Sequence, residues 1–336
     1  MTEISGGKLE NASNYPSTVE GLEKLFSEMI SRGDKPLSKV TVQNYKRKLV
    51  KLHTLVTGKP YDGNLEWINN PKNVIEIVHK SVLTGKKDYM TPVIRLLKMA
   101  NSSNDTIAEY QKGLASFKSA EDIIRRDNKA SSKEQSLAIP LKDIQHKILE
   151  FKPENDAELV QKLIASFYFL NPYFTPRNDL YEMKVVSNTK KANKMDPAYN
   201  YIVINKEGKS EFIFMNNYKT KHTYGRQRFN ISPELKSVLD EYLFTYGKQA
   251  GDFLFVMKDG KQFGESNFRN LIESSMEYVI GKPINIGLVR KIKITDWYSG
   301  KLHSINETEA FHHTLLHSAK VGTEYIKTDL FDKIDD

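Results

Sequence analysis

Five residues in the second half of the sequence have side chains that together could cut a DNA phosphodiester. They are Arg177, Lys219, Arg290, His317 and Tyr325. A phosphodiester is an anion, and attack on its phosphorus adds negative charge that cationic groups must stabilise. A tyrosine hydroxyl can act as the nucleophile and become a covalent link to the phosphate. The set therefore predicts strand cleavage by a protein nucleophile.

Each of these residues, taken alone, has an ordinary structural explanation. Arg177 could pair at the surface with Asp179 or Glu182, and a surface ion pair contributes little to stability. A single late tyrosine usually packs in a core, and a single histidine usually makes a structural hydrogen bond. A basic turn such as the one around Lys219 is most often a solvated surface. Only the complete set, in its order along the chain, favours catalysis.

The overall composition indicates the class of partner. The chain has 336 residues, a formal net charge of +8 and no cysteine. A basic balance favours a polyanionic partner, although many soluble proteins are mildly basic. Disulfides, thiol nucleophiles and cysteine metal sites are excluded.

No segment of the sequence predicts a membrane association. The longest apolar run, Leu163 to Leu170, is far shorter than the roughly 20 residues that a bilayer-spanning helix needs. The N-terminus lacks the apolar core of a secretory signal. We expect an intracellular protein that has no contact with a membrane.

The composition and apolar spacing along the sequence predict two domains. Residues 1–16 are polar and predict a flexible arm. Residues 17–127 show helical spacing of apolar residues and predict an all-helical domain of four or five helices. Residues 128–138 are small, polar and lysine-bearing, which predicts a linker. Residues 139–336 form the second domain, including a short C-terminal tail.

The second domain combines helices with a few short strands. Periodicity predicts a helix over 154–171 and later helices near 233–246, 266–280, 287–299, 306–316 and 320–328. Strands are predicted near 183–187, 200–205, 211–217 and 226–231, the last two as a hairpin around Lys219. The predicted fold class is mainly α with a small antiparallel β-sheet (α+β).

This second domain resembles the catalytic domain of the tyrosine recombinases, or phage-type integrases. That family has an arginine box, a hairpin lysine, a His-x-x-Arg box, a Leu-Gly-His-Ser-like box and a tyrosine. The matching stretches here are Thr175-Pro176-Arg177-Asn178-Asp179-Leu180, Tyr218-Lys219-Thr220, Gly287-Leu288-Val289-Arg290, Leu316-His317-Ser318 and Tyr325. The helical half is similar to the family's core-binding domain. The hairpin and the late His-Ser box look most like integrases of eukaryotic DNA viruses and mobile elements.

The resemblance implies a mechanism and a role for each residue. Tyr325 attacks the phosphate and forms a 3′-phosphotyrosyl bond, while Arg177 and Arg290 bind the non-bridging oxygens with help from His317. Lys219 protonates the leaving 5′-oxygen. Lys221 is the alternative acid, since both lysines would face one side of an extended strand.

The resemblance also implies partners and a setting. Double-stranded DNA is the substrate, a homotetramer assembles on it, and a monomer is compatible with the free state. No metal or other cofactor is implied. The place of action is wherever the target DNA is, in the nucleus or cytoplasm of a host, which includes a virus-encoded protein. We expect six basic residues to contact DNA: Lys46, Lys48, Lys51, Lys221, Arg226 and Lys291.

Two positions depart from the family pattern. Gly287 occupies the place of the histidine of the His-x-x-Arg box, so another group must take the proton of Tyr325, with His317, Lys293 or water as candidates. Leu316 occupies the place of a glycine, and we expect this change to affect only local packing.

Three other functions remain open from the sequence. A type IB topoisomerase shares this chemistry but acts as a monomer. A catalytically decayed DNA-binding homologue is supported by Gly287. A metal hydrolase is suggested by His313 and His317 at i, i+4 spacing. No glutamate base lies between those histidines, as a His-Glu-x-x-His site requires.

Overall fold

The chain divides into two compact units, Met1–Arg125 and Arg126–Asp336. The computed structural model describes residues 39–99, 102–187, 196–299 and 302–332. The predicted arm at 1–16, and residues 17–38 of the predicted helical domain, lie outside these ranges. Within them, no helix combines the length and apolar character needed to cross a bilayer.

The first unit is helical throughout its described part. Its helices are α1 (Lys39–Thr57), α2 (Pro71–Lys80), α3 (Lys87–Met99) and α4 (Asn104–Arg126), with a 3₁₀ turn at Glu66–Asn69. Helix α1 buries Val42, Leu49 and Leu52 on one face, as the predicted spacing requires. The Tyr110 hydroxyl donates to the Ile68 carbonyl at 2.9 Å and ties α4 to the 3₁₀ turn.

Helix α3 begins earlier than the sequence suggests. Thr91-Pro92 has the pattern of a cap followed by a first-turn proline, but the helix starts at Lys87 and contains Pro92. Proline lacks an N–H, so only one intrahelical bond is lost this close to the start. The buried residues Met90, Val93 and Leu97 hold the helix on the core of the unit, which outweighs that loss.

The segment 128–138 is part of the second unit and contains a helix, α5 (Ser132–Leu137), where the composition suggests a linker. Ser131 and Glu134 form a reciprocal capping box at its start. Ala130, Leu137 and Ala138 pack against the core of this unit. The predicted linker is therefore wrong for this segment, because a capping box and a few apolar contacts order a polar stretch.

The core of the second unit is formed by residues of both helices and strands. Its longer helices are α6 (Leu141–Glu150), α7 (Asp156–Phe169), α9 (Pro233–Thr245), α10 (Glu265–Ile280), α11 (Ile286–Tyr298) and α12 (Ile305–Thr314), and a single helical turn, α8 (Lys221–Tyr224), precedes α9. Helix α7 contacts α6, α9 and α10 and is buried along most of its length. Such all-round burial explains why its sequence is mostly apolar rather than striped.

Four short strands form one sheet in the order β1 (Met183–Val186), β2 (Asn200–Ile204), β3 (Ser210–Met215) and β4 (Gln227–Asn230). The β2–β3 and β3–β4 pairs are antiparallel, whereas β1 and β2 are parallel. The prediction of an antiparallel sheet is thus wrong for one pair, because the chain between β1 and β2 is long enough to cross back. The predicted class, mainly α with a small sheet, is confirmed.

Two connections differ from the predicted elements near the site. The β3–β4 connection is not a simple hairpin turn, since it contains α8, which Gly225 ends at a φ of 64°. The argument that Lys219 and Lys221 share one side of an extended strand is therefore wrong. The predicted helix at 320–328 is a single turn, α13 (Ala319–Gly322), followed by a 3₁₀ turn at Thr323–Tyr325.

Candidate active site

Arg290 is buried within the second unit. It lies on α11, which begins where the Asn285 side chain accepts a hydrogen bond from the Leu288 N–H at 2.9 Å. Its Nη2 donates to the Leu315 carbonyl, while Nε and Nη1 are buried and have no hydrogen-bond partner among the described residues. Burial, reinforced by the charge of Arg177, lowers the pKa of Arg290 to about 10. The guanidinium is therefore still a cation at neutral pH, with unused donors.

Tyr325 lies against Arg290. The 3₁₀ turn that carries it packs on α11, and the Arg290 Cζ lies 5.9 Å from the centroid of the Tyr325 ring. The phenol acts against the burial effect and raises the pKa of Arg290. Folding thus joins two groups that lie far apart in the sequence.

Gly322 allows the chain before Tyr325 to take this path. A Cβ at Gly322 would lie 1.9 Å from Cε1 of His312, closer than any side chain permits. His312 is buried, and its Nε2 lies 2.9 Å from the Tyr298 hydroxyl, so the ring cannot easily move away. The pairing of a glycine with a fixed ring is a feature of the site that sequence analysis did not identify.

His317 stacks on Tyr325, with ring centroids 5.7 Å apart and planes 23° apart. Its Nδ1 lies 3.0 Å from the Ser318 carbonyl. A carbonyl oxygen only accepts, so Nδ1 must carry the proton. Burial lowers the pKa of His317 to about 4, and the Ser318 carbonyl opposes this only in part. The ring is therefore neutral at pH 7, and its Nε2 is an unprotonated, buried nitrogen without a partner among the described residues.

Leu316 adopts a left-handed backbone with a φ of 51°, which is unusual for a residue other than glycine. The two carbonyls of this bend hold the site together. Leu315 O accepts from Arg290, and Leu316 O accepts from the Thr220 hydroxyl at 2.8 Å. The expectation that Leu316 affects only packing is wrong, because this position sets the direction of both carbonyls.

The Thr220 hydrogen bond brings the lysine segment to the site. Lys219 precedes Thr220, is exposed, and has no hydrogen-bond or ion-pair partner in the described part of the chain. Lys221 is also exposed, and its Nζ lies 3.4 Å from Asn217 Oδ1. In the sequence, Thr220 stands out only as a neighbour of Lys219. Its anchoring bond depends on a residue 96 positions away and has no local signal.

Arg177 lies on the segment that follows α7. Its N–H donates to Asp179 Oδ2 at 3.1 Å, and its carbonyl accepts from the Tyr168 hydroxyl at 2.6 Å. Two residues earlier, the Thr175 N–H donates to the Thr314 carbonyl at 3.0 Å. The charge of Arg177 lowers the pKa of both Arg290 and His317, so Arg177 acts on the same small region.

Asp179 is an acidic group close to both arginines. Burial raises the pKa of its carboxyl to about 6, while the Arg177 N–H and the charges of Arg177 and Arg290 oppose that rise. At pH 7 it is largely a carboxylate. It therefore offsets part of the positive charge at the site.

Lys293 is the candidate proton acceptor whose surroundings exclude that role. Its Nζ lies 2.6 Å from Thr175 Oγ1 and 3.2 Å from the carbonyls of both Tyr168 and Asn171. Burial, with the charge of Arg290, lowers its pKa to about 7. Three acceptors match the three protons of an ammonium group and favour that form. Lys293 is enclosed by these acceptors, which leaves His317, whose ring stacks on Tyr325, and water as the candidates.

The remaining residues predicted to bind DNA have different surroundings. Lys51 and Arg226 are exposed, and Lys46 is half-buried. Lys48 pairs with Asp88 at 3.3 Å, and Lys291 pairs with Glu134. DNA contact by these residues stays a prediction.

The histidines that suggested a metal site point to different neighbours. The His313 ring lies 5.8 Å from both the Tyr224 and Phe229 rings. Helix α12 ends at Thr314, so His317 is not on the same helix as His313. Among the described residues, no group of three or more His, Cys, Asp or Glu side chains could hold a metal ion.

The site as a whole can bind an anion beside a phenol. The Arg290 guanidinium, whose Nε and Nη1 are buried without a partner among the described residues, lies beside a tyrosine that stacks on a neutral histidine. The charge of Arg177 acts on both Arg290 and His317. Buried polar groups normally have partners, so unused donors at one place indicate a site for an acceptor. A phosphate or similar oxyanion has the charge and the oxygens to satisfy them.

Comparisons with known proteins give little further information. No protein-family profile and no curated protein matches the sequence. Solved structures that resemble the chain include a crystal structure of XerA recombinase, with 14% sequence identity, a TM-score of 0.37 and 95% of each chain covered. The function of this chain must therefore be argued from the side chains of the site.

Proposed function

We propose that this chain is a DNA strand transferase of the tyrosine recombinase type, which cuts and rejoins DNA through a 3′-phosphotyrosyl intermediate. The observation that carries this proposal is the grouping of Tyr325, His317 and Arg290, with Nε and Nη1 of Arg290 buried and unpaired among the described residues. Arg177 adds a second cation, and its charge acts on both Arg290 and His317. A nucleophile beside concentrated donors is the arrangement that phosphoryl transfer requires.

The proposed reaction proceeds by one displacement at phosphorus. The Tyr325 oxygen forms a bond to the phosphorus as the bond to the 5′-oxygen breaks. The phenolic proton passes to His317 Nε2, which is unprotonated, and Lys219 gives a proton to the leaving 5′-oxygen. Arg177 and Arg290 bind the non-bridging oxygens. Resealing is the reverse reaction with the 5′-hydroxyl of the same or another strand.

In this assignment His317 accepts the proton of Tyr325. Gly287, which occupies the place of the family's histidine, has no side chain for that role. Gly287 is exposed in the first turn of α11, one helical turn before Arg290. In the proposal, double-stranded DNA is the partner and four chains assemble on two duplexes, and a monomer is compatible with the free state. A mobile or viral element would be the source, and the protein would act where the target DNA lies.

A nicked suicide duplex tests the cleavage step. Loss of a short fragment after cleavage prevents resealing, so a covalent complex accumulates. We expect the unaltered protein to form it and Arg177→Ala to form it more slowly by a factor on the order of 10²–10³, as when one charge-stabilising donor is removed. An unaltered protein that binds the duplex but forms no complex would be a decayed homologue, and the proposal would fail.

The class of reaction is tested separately. Strand exchange between two duplexes that each carry the mapped cleavage site would support a recombinase. Relaxation of a supercoiled plasmid by the monomer, without exchange between sites, would indicate a type IB topoisomerase instead.

The group that protonates the leaving 5′-oxygen is identified with a DNA substrate in which sulfur replaces that bridging oxygen. Sulfur leaves without a proton, so it restores the rate only when the missing group is the acid. We expect rescue of Lys219→Ala but not of Lys221→Ala. Thr220→Val should also be rescued, because loss of its bond to Leu316 O releases Lys219, whereas Thr220→Ser should need no rescue. Rescue of Lys221→Ala alone would transfer the acid role to Lys221.

A further inference from the structure

Lys293 is a charged group in the interior of the second unit with an unusually complete set of partners. Only 7% of the residue is exposed. Its ammonium donates to the Tyr168 and Asn171 carbonyls at 3.2 Å and to Thr175 Oγ1 at 2.6 Å. Burying a charge is unfavourable unless it is paired or fully hydrogen-bonded. A cation kept at such a place calls for an explanation beyond simple packing.

The acceptors of Lys293 all belong to the end of α7 and the segment after it. Tyr168 lies in the last turn of α7, and Asn171 lies two residues beyond Phe169, where the helix ends. The last carbonyls of a helix lack partners and carry the negative end of its dipole. The ammonium therefore caps α7 from within the core, and an apolar side chain of the same length could not satisfy these oxygens.

The same contacts connect the two elements that carry the arginines. Lys293 is three residues after Arg290 on α11, so one helix presents both cations. Thr175 is two residues before Arg177, and Tyr168 also donates its hydroxyl to the Arg177 carbonyl. Movement of this segment would move Arg177 relative to Arg290.

We propose that Lys293 is a positioning residue, which fixes the segment 171–177 against α11 so that Arg177 and Arg290 can bind the same oxyanion. This inference rests on the proposed function for its catalytic readout, but not for its structural readout. Lys293 does not touch the reacting atoms. It acts through the place of Arg177.

Single-turnover cleavage of a suicide duplex tests the catalytic consequence. We expect Lys293→Met to reduce the rate by a factor on the order of 10², the effect of a displacement of about 1 Å in a catalytic group. Thr175→Val removes only one acceptor and should also slow cleavage, while Thr175→Ser, which keeps the hydroxyl, should restore most of the rate. This pair keeps the test open if Lys293→Met does not fold.

Lys162→Met is the matched control. Lys162 Nζ also donates to a carbonyl just after a helix, that of Phe151, at 2.6 Å, and the residue is half-buried. Its loss should lower the free energy of unfolding without changing the cleavage rate of the folded protein. If Lys162→Met lowers the cleavage rate as much as Lys293→Met does, the effect of Lys293 is a general loss of stability and not positioning of Arg177.

A double-mutant cycle with Arg177→Ala identifies the route of the effect. If Lys293 acts through Arg177, then Lys293→Met should cost almost nothing further in rate once Arg177 is absent. If the two substitutions instead lower the cleavage rate by independent factors that multiply in the double variant, the proposal is overturned.

Hydrogen exchange gives a readout that needs no activity. Lys293→Met should increase amide exchange across 170–178 at least tenfold and leave peptides of α10 unchanged. Unchanged exchange in 170–178 would overturn the positioning role, whatever the activity. Increased exchange in a chain whose unaltered form makes no covalent complex would retain the positioning role and refute the proposed function.

Discussion

Single residues at this site take their properties from burial more than from their own chemistry. His317 is a neutral base because it is enclosed, with its Nδ1 proton held by Ser318 O. Arg290 has spare donors because its side chain is buried where Nε and Nη1 meet no acceptor among the described residues. The residue types can be read from the sequence, but these surroundings depend on side chains far away along the chain.

The depressed pKa of His317 has a consequence for stability. Between pH 6.5, its ordinary value, and about 4, its folded value, the unfolded chain binds a proton that the folded chain does not. Stability attributable to this group is therefore lost as pH falls through that window, by up to about 3 kcal/mol. Urea titrations of the protein and His317→Asn at several pH values check this.

Comparison with the variant removes the effects of other groups. Asp179, whose pKa is raised to about 6, has the opposite dependence, since its buried carboxylate becomes easier to accommodate as it is protonated. The stability of the unaltered protein relative to His317→Asn should therefore fall as the pH is lowered from 6.5 to about 4. A constant difference from pH 7 to pH 4 would contradict the neutral state of His317.

The left-handed backbone of Leu316 predicts an inverted order of two substitutions. Alanine is normally more favourable than glycine in a folded chain, but at a φ of 51° glycine avoids a cost of about 1–2 kcal/mol. Leu316→Gly should therefore be more stable than Leu316→Ala. Both should be less stable than the unaltered protein, by about 2–5 kcal/mol for the lost buried side chain. Thermal or urea unfolding decides, and an alanine variant more stable than glycine would refute the strained conformation.

At the scale of elements, the sequence predicts what local pattern determines. Helices α7, α10 and α11 and the four strands lie within about two residues of their predicted positions, because apolar periodicity records burial directly. No prediction covers the helical turn at Lys221–Tyr224, helix α5 or helix α6. The turn and α5 are short, and α5 combines a local capping box with apolar contacts to distant residues.

The C-terminal segment is an element whose packing the sequence did not predict. Leu330 is buried in the core of the second unit. Asp329 accepts the Ala130 N–H at 2.6 Å, and its carbonyl accepts from Gln135 at 3.0 Å.

Two substitutions in the tail should differ sharply in their effect on stability. Leu330→Ala should lower the free energy of unfolding by about 2–5 kcal/mol, since it leaves a cavity in the core. Phe331→Ala should change it by about 0.5 kcal/mol or less, because Phe331 is 36% exposed. Equal effects in urea unfolding would show that the tail does not dock on its own chain in solution.

At the scale of the whole molecule, the net charge of +8 is the property most relevant to a DNA partner. Neutralising phosphates releases counterions, so affinity should fall steeply with salt. The contribution of each lysine depends on whether an acidic group already pairs with it. Composition predicts the sign of the charge, and only the fold shows which charges are free to act.

Lys51 and Lys48 provide a matched pair for this effect. Lys51 is exposed, whereas Lys48 pairs with Asp88 at 3.3 Å. If both sides of α1 face the duplex, Lys51→Gln should reduce the slope of log affinity against log salt by about 1, and Lys48→Gln by clearly less. Fluorescence anisotropy across a salt series measures both slopes. Unchanged slopes in both variants would remove α1 from the DNA-binding surface.

The central claim, that Tyr325 becomes covalently attached to DNA, can be measured directly. The complex formed on a nicked suicide duplex is digested with nuclease and trypsin, and the modified peptide is sequenced by mass spectrometry. Cleavage after Lys320 and Lys327 releases Val321 to Lys327, in which Tyr325 is the sole tyrosine. The account predicts a nucleotide 3′-phosphate on that tyrosine, and no complex from a Tyr325→Phe variant that still binds DNA. A nucleotide on another residue, or undiminished complex formation by Tyr325→Phe, would contradict it.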